Sequence, residues 1–222
     1  MSSETEREDA VQPLASRFRR SRYREPQRPR YDRLPSKETL AALVRICSSK
    51  TRASVLLLAS SGMRIGELVR VRLSDLDLSN DPPAIVVRDA TQPHRSRVSY
   101  ITGEARRAVE SYLAERRRRG EDLGGQSPLF AYESGSSMTP QAMISLIRRG
   151  FEAAGIHGPR IRLDSQILRR WFMGQLILTG APRAIVDFLC GRPNRARPAE
   201  DEVRNWYIRA IPNLTILASA TT

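Results

Sequence analysis

The apolar segment TRASVLLLAS, residues 51–60, constrains the fold most, because its run of bulky aliphatic side chains has to be buried in a core. Overlapping its end is SSGMRIGELVRVRLSDLDLS, residues 60–79, in which Arg64 follows a Gly-Met pair. A guanidinium stays charged at any accessible pH, so burying Arg64 beside residues 55–58 is expensive unless an anion meets it. The rest of the chain must therefore supply that anion or bind it as a ligand.

The charge balance indicates what kind of ligand such an anion is. The chain carries 37 basic residues against 24 acidic ones, its formal net charge is +13, and only Lys37 and Lys50 are lysines. A positive field of this size attracts polyanions and makes their binding depend on salt, so nucleic acid is the leading partner. Forked phosphate recognition and a GC-rich genome explain the excess of arginine equally well.

Several classes of protein are excluded by what the sequence lacks. No apolar run approaches the ~20 residues that cross a bilayer, and the first residues, MSSETEREDA, lack the apolar core of a signal peptide. Cys47 and Cys190 provide neither a disulfide framework nor a set of metal ligands. We therefore expect a reduced, cytoplasmic protein that binds no membrane and no metal.

The chain divides near Pro35 into an amino-terminal arm, residues 1–34, and a domain, residues 35–222. Residues 17–33 carry eight arginines with interleaved tyrosines and prolines, a composition that cannot bury enough apolar surface to fold alone. The arm is either a disordered segment that follows DNA phosphates or a solubilising tail. Its candidate phosphate contacts are Arg17, Arg19, Arg20, Arg22 and Arg24.

Helical periodicity dominates the domain from Ser36 onward. Ser36 and Thr139 are candidate N-caps, and Pro140 follows Thr139 at a first helical turn. The only strand signals are AIVVR, residues 84–88, and RVSYI, residues 97–101, which predict one β-hairpin with a polar tip. The pattern predicts a mainly α-helical domain with a small β-hairpin or sheet.

Four boxes in a fixed order resemble the catalytic domain of the tyrosine recombinases, the phage integrase family, over residues 36 to about 210. The first is GMRIGELVRVRLSDLDL, the second is Gln166-Ile167-Leu168-Arg169, the third is Leu189-Cys190-Gly191-Arg192, and Tyr207 follows in NWYIRA. The segment WFMGQLILTGAPRAIVDFLCGRPN is most similar to integrases of archaeal viruses and plasmids. The resemblance implies the fold of DNA breaking-rejoining enzymes.

The resemblance also implies a chemistry that suits these residue types. Arg64 and Arg169 would hold the non-bridging oxygens of a scissile DNA phosphate, with Gln166 and Arg192 assisting and Glu67 orienting Arg64 from three residues away. Tyr207 would attack the phosphorus and form a 3′-phosphotyrosine, so no cofactor is required. Each residue has a plainer interpretation: Arg64 as a surface partner of Glu67, Tyr207 as a core aromatic, and Arg192 as a helix-end residue.

The sequence departs from the family at several points. The amino-terminal core-binding domain is missing, the segment between Arg192 and Tyr207 is long, and no lysine follows Lys50 to serve as the hairpin's general acid. His94 at the hairpin tip is the best substitute acid, because the reference pKa of histidine lies near neutrality, although the pattern slightly favours a solvated turn histidine without a catalytic role. Arg95, Arg97 and Arg170 are further candidate DNA contacts.

These observations favour a site-specific recombinase acting on double-stranded DNA and associating with itself there. The apolar set Ile211, Leu214, Ile216 and Leu217 either docks on a neighbour or packs within its own chain. The alternative function is a catalytically degenerate relative that occupies DNA without strand exchange. A third, an RNA-binding basic protein, is supported by charge alone.

Overall fold

A computed structural model of the chain describes residues 34–88, 96–156, 166–192 and 197–217, all of which belong to one compact unit. The arm predicted for residues 1–34 lies, apart from Leu34, outside the described residues, so the division into arm and domain stays a prediction. The helices of the described part are α1 Lys37–Ile46, α2 Ser49–Ser61, α3 Ile65–Leu68, α4 Gly103–Arg118, α5 Pro140–Ala153, α6 Ile167–Leu178, α7 Arg183–Leu189 and α8 Glu200–Leu214. The strands are β1 Leu76–Asp77, β2 Ala84–Val87 and β3 Arg97–Tyr100.

Helix α2 is the centre of the core, as its apolar run predicts. Its residues from Ala53 to Ser61 are all buried, and it packs against α1, α4, α5 and α6. A helix covered on every side needs no polar face, which explains why aliphatic residues occupy consecutive positions here. The helix ends at Gly62, whose φ of +65° is the left-handed conformation that a side chain disfavours.

The strands form an antiparallel sheet of order β1-β2-β3. The hairpin β2–β3 lies where the alternating sequence predicts it, with Ile85 opposite Ser99. The Ser99 hydroxyl donates to the carbonyl of Ser61 at 2.9 Å, which fixes the sheet against the end of α2. Strand β1 was not predicted, because two residues are too short to show a period-two pattern.

The helix boundaries follow local capping chemistry. The Ser36 side chain accepts a hydrogen bond from the N–H of Thr39 at 3.2 Å, and Thr139 accepts one from Ala142 at 3.2 Å, with Pro140 in the first turn. Both predicted N-caps are therefore confirmed, as is the mainly α-helical fold class with a small sheet. Within the described ranges, no helix is both long enough and apolar enough to cross a bilayer.

Candidate active site

The candidate site is built around the buried carboxylate of Glu67, in the first turn of α3. Its Oε2 accepts the backbone N–H of Arg64 at 2.7 Å, and its Oε1 accepts Nη1 of Arg64 at 3.1 Å. The guanidinium of Arg97 on β3 donates to both oxygens, each at 3.0 Å. The predicted contact between Glu67 and Arg64 is present in the structure, and Glu67 also joins the sheet to α3.

Arg64 is exposed to solvent, whereas its sequence context predicts burial. Its side chain keeps 44% of its surface accessible, because Arg64 is the N-cap of α3 and points outward from the helix start. Its Nη2 lies 3.5 Å from the carbonyl of Gly191, at the end of α7. The expectation of a buried Arg64 is wrong, and the edge of its guanidinium away from Glu67 is accessible to an anion.

Arg97 occupies the interior position instead. Its side chain is 8% exposed, and its Nε donates to the carbonyl of Leu189 at 3.1 Å, besides the two bonds to Glu67. Gly191, with φ +58°, lies so close that an added Cβ would stand 2.5 Å from Nη1 of Arg97. The prediction that Arg97 contacts DNA does not fit this position, because the first residue of β3 faces the core and its donors are engaged there.

Arg169 is the second buried arginine of the site and belongs to α6. Its side chain donates through Nη1 to the carbonyl of Gly62 at 2.8 Å and through Nη2 to the carbonyl of Cys190. Burial lowers the pKa of Arg169, and the positive charges of Arg64 and Arg97 act in the same direction. Arg169 therefore joins the end of α2 to the end of α7, within electrostatic reach of Arg64 and Arg97.

The charges of this cluster do not balance. Three guanidiniums, those of Arg64, Arg97 and Arg169, surround the single carboxylate of Glu67. Burial alone would raise the pKa of Glu67, but the hydrogen bonds and charges of Arg97 and Arg64 outweigh burial and hold that pKa below its ordinary value. Glu67 is therefore ionised at neutral pH, and the cluster keeps an excess of positive charge that favours a bound anion.

The other candidate residues lie at the edge of the cluster or outside the described residues. Gln166 is the N-cap residue of α6, and Arg170 follows Arg169 on that helix. Arg192 is 41% exposed and lies 3.5 Å from Oδ1 of Asp187. The positions that fall outside the described residues are His94, Arg95, Arg17, Arg19, Arg20, Arg22 and Arg24. Their roles stay predictions.

Tyr207 is buried inside the domain. It lies on α8, has no exposed surface, and donates its hydroxyl to the carbonyl of Ser60 at 2.9 Å. Its ring lies 5.3 Å from the ring of Tyr100, centroid to centroid. Burial raises the pKa of Tyr207 well above its ordinary value, which the bond to Ser60 only partly opposes. In this state Tyr207 has the geometry of a core aromatic, and its hydroxyl is not presented to solvent.

The carboxyl-terminal apolar set packs within the chain. Leu214 and Ile216 are buried, and the carboxylate of Glu104 on α4 accepts the backbone N–H groups of Ile216 at 2.6 Å and Leu217 at 2.8 Å. Of the two docking arrangements that the sequence leaves open, the described structure has the intramolecular one. Self-association on DNA stays a prediction.

Sequence reasoning missed the carbonyl groups that hold the two buried arginines. Gly62, Leu189 and Cys190 contribute backbone oxygens, and no residue-type pattern marks a carbonyl as an acceptor. The one available signal was the Cys-Gly pair after α7, because a glycine at a helix end permits the left-handed backbone of Gly191. The site is therefore assembled as much from helix ends as from side chains.

The chain is similar to known proteins over most of its length. The sequence profile of the phage integrase family matches residues 34–196, a range that ends before α8 and Tyr207. The chain is 29% identical over 143 residues to tyrosine recombinase XerD of Halalkalibacterium halodurans, a match covering 64% of this chain and 46% of the relative. The chain thus spans less than half the length of this relative.

Solved structures show the same fold. The crystal structure of XerA recombinase has a TM-score of 0.60 and 23% identity, and the match covers 83% of this chain and 66% of that one. XerH site-specific recombinase, in a post-cleavage complex with its palindromic difH substrate, has a TM-score of 0.63 and 16% identity, covering 82% and 49%. With the profile match over most of its length, the chain belongs to the phage integrase family, the family of the tyrosine recombinases.

Proposed function

We propose that this chain cleaves and rejoins double-stranded DNA at a specific site through a 3′-phosphotyrosine intermediate. The observation that carries the proposal is the unbalanced cluster around Glu67, in which one guanidinium, that of Arg64, is half exposed while two others are fixed behind it. A preorganised positive site of this kind stabilises charge that develops on a phosphate during displacement. Family membership and the net charge of +13 support the same partner.

In the proposed reaction, the hydroxyl of Tyr207 gives up its proton to solvent and its oxygen attacks the phosphorus. The bond from phosphorus to the 5′ oxygen of the next nucleotide breaks, and that oxygen leaves with a proton from a general acid. A phosphotyrosine ester replaces the phosphodiester, so the reverse attack by a 5′ hydroxyl rejoins DNA without an added energy source. Arg64 binds a non-bridging oxygen through its accessible edge, and Arg169 adds positive charge from behind. Each such donor contributes about 10²-fold or more to the rate.

Tyr207 has to leave its buried position before it can attack. The hydroxyl is bonded to Ser60, and burial opposes its ionisation, so the described state is a resting state in the proposed mechanism. Movement of α8 that breaks this hydrogen bond and the packing of the ring against Tyr100 would expose the side chain. DNA binding is the proposed trigger, since it changes the charge of the adjoining cluster.

A nicked suicide duplex that carries the target sequence tests the cleavage step. Because the target is unknown, a library of nicked duplexes is incubated with the protein, and covalent products are isolated after denaturation and sequenced. Wild type is expected to become attached to DNA and Tyr207→Phe to bind without attachment. Tyr132→Phe is the matched control, since Tyr132 is exposed at 37% and has no proposed role. Attachment that survives in Tyr207→Phe would place the nucleophile elsewhere.

The second candidate function is a DNA-binding relative without strand exchange. The burial of Tyr207 favours it, as does the absence of any lysine after Lys50. The same library discriminates between the two functions. A protein that binds DNA without cleaving it would retain some duplexes by affinity, but none of them would become covalently attached.

The proton for the leaving oxygen is assigned to His94 in this proposal. A histidine near neutral pKa can give up a proton that an arginine retains. His94→Ala is expected to slow cleavage of an ordinary phosphodiester by about 10²- to 10⁴-fold and to be rescued on a 5′-bridging phosphorothiolate, whose sulfur leaves unprotonated. Equal loss on both substrates, or loss on neither, would remove His94 from the mechanism.

A further inference from the structure

A groove of about 730 Å³ lies on the surface beside the segment that follows α3. Three arginines, a glutamine and two serines line it, beside Pro128 and Gly135. We call it the arginine groove and define it by Arg70, Arg72, Arg88, Gln126, Ser136 and Ser137.

Hydrogen bonds to the backbone of residues 69–71 fix the segment that carries Arg70 and Arg72. Val71 is buried and its carbonyl accepts the N–H of Leu129 at 2.8 Å, so Arg70 and Arg72 on either side of it lie at the surface. The Ser137 hydroxyl donates to the carbonyl of Val69 at 2.6 Å, which fixes the opposite wall. The arginines therefore project from a rigid segment.

The charge of the groove is only partly neutralised. Arg88 donates through Nε and Nη2 to Oδ1 of Asp75, at 2.9 and 2.6 Å, so its charge has a partner. Arg70 donates to the carbonyl of Gly66 at 3.0 Å, and Arg72 to the side-chain oxygen of Gln126. Both of these acceptors are neutral. Among the described residues, neither Arg70 nor Arg72 has a carboxylate partner.

This composition suits a phosphate backbone better than a small organic molecule. Pockets for small molecules are lined mainly by apolar and aromatic side chains, whereas arginine, serine and glutamine are the residues that bind DNA phosphates. The groove also adjoins the candidate site, because Arg70 is bonded to Gly66, two residues after Arg64 in the same short helix. The groove and the candidate site are therefore linked through α3.

We propose that the arginine groove binds backbone phosphates of the DNA outside the cleavage site, with Arg70 and Arg72 as the two contacts. The inference rests on the proposed function only in taking DNA as the partner, and it requires no chemistry. Each phosphate neutralised by an arginine releases condensed counterions, so the groove contributes to the salt dependence of binding and not to sequence preference.

The test is the equilibrium affinity for duplex DNA, measured as a function of salt by fluorescence anisotropy. In Arg70→Gln/Arg72→Gln, the slope of log affinity against log salt is expected to become shallower by about 1.8, which is about 0.9 for each lost phosphate contact. The matched control is Arg117→Gln/Arg118→Gln, which removes two exposed charges at the end of α4 and is expected to keep the wild-type slope. Urea unfolding verifies that both double variants are folded.

The outcomes separate this inference from the proposed function. The groove proposal is overturned if Arg70→Gln/Arg72→Gln keeps the wild-type salt slope, or if the control variant changes the slope equally. Either result overturns it even if the wild-type protein becomes covalently attached to DNA. A shallower slope confined to the groove variant supports it even if no attachment is ever seen. Binding of inorganic tripolyphosphate tests whether the groove holds a small anion. If the groove variant loses tripolyphosphate binding while the salt slope for DNA is unchanged, the proposal is also overturned.

Discussion

Replacing Arg97 by glutamine should destabilise the domain strongly, because it breaks a buried ion pair of the candidate site. Arg97→Gln removes two hydrogen bonds to Glu67, each 3.0 Å long, and one to the carbonyl of Leu189 at 3.1 Å. Both members of the pair are 8% exposed, so water cannot replace the lost partner without a rearrangement. The pair also joins β3 to α3 and to the end of α7.

The size of the effect follows from breaking a buried ion pair. Removing one partner costs about 3–5 kcal/mol of unfolding free energy, because the other charge is left buried without compensation. Arg64 continues to hold Glu67 in Arg97→Gln, so the expected loss is at the lower end, about 3 kcal/mol. Glu67→Gln removes the only carboxylate bonded to Arg97 in the described structure and leaves that buried charge uncompensated, so its expected loss is at the upper end of the range.

Urea unfolding of the two single variants and of the double variant forms a double-mutant cycle. In Glu67→Gln/Arg97→Gln neither charge remains, so the double variant should be about 1–3 kcal/mol more stable than the sum of the single losses predicts. Arg97→Lys is the conservative control. It keeps the charge but lacks the fork that spans both oxygens of Glu67, and should recover only part of the stability.

Two results would refute this reasoning. Losses that add within about 0.5 kcal/mol would show that the two side chains do not interact in solution. A loss below about 1 kcal/mol in Arg97→Gln would show that Glu67 is satisfied without it, as expected of an exposed pair.

Four further predictions concern the same cluster and its surroundings. Gly191→Ala should lower the unfolding free energy by about 1–3 kcal/mol more than Gly180→Ala. Both glycines have positive φ, but only an added Cβ at Gly191 meets Arg97, so equal losses would dismiss the contact. Stability should fall as pH drops below 4.5 toward the lowered pKa of Glu67, and Glu67→Gln should remove that component of acid unfolding. Glu104 should have the opposite effect on the pH dependence of stability. Because its pKa is raised, stability should fall as pH rises from 4.5 toward that pKa. Urea unfolding measured at a series of pH values should show no such fall in Glu104→Gln. Tyr207→Phe should cost about 1–2 kcal/mol, because the Ser60 carbonyl loses its donor, whereas Tyr132→Phe should change the urea midpoint little.

The sequence predicted those parts of the fold that depend on local chemistry. The N-caps Ser36 and Thr139, the buried run of α2 and the hairpin are set by patterns a few residues long. It did not predict helix α8, since only Tyr207 and the apolar set that begins at Ile211 were interpreted in that part of the chain.

The sequence predicted which types of residue form the candidate site, but it predicted less well where each side chain lies in the structure. Glu67 holds Arg64 as expected, because a separation of three residues at a helix start brings the two side chains together. The exchange of places between Arg64, expected to be buried, and Arg97, expected at the surface, could not be foreseen. It depends on which face of β3 meets α3, and tertiary packing decides that.

The carbonyl groups that hold the buried arginines come from chain segments far apart. Gly62 is 107 residues from Arg169, and Leu189 is 92 residues from Arg97. Contacts of such long range form late in folding, because their loops must close first. A nascent chain synthesised only as far as α6 contains all three arginines of the cluster but lacks the acceptors at the end of α7. The complete cluster, with both buried arginines held by their carbonyl acceptors, can therefore form only after α7 has left the ribosome.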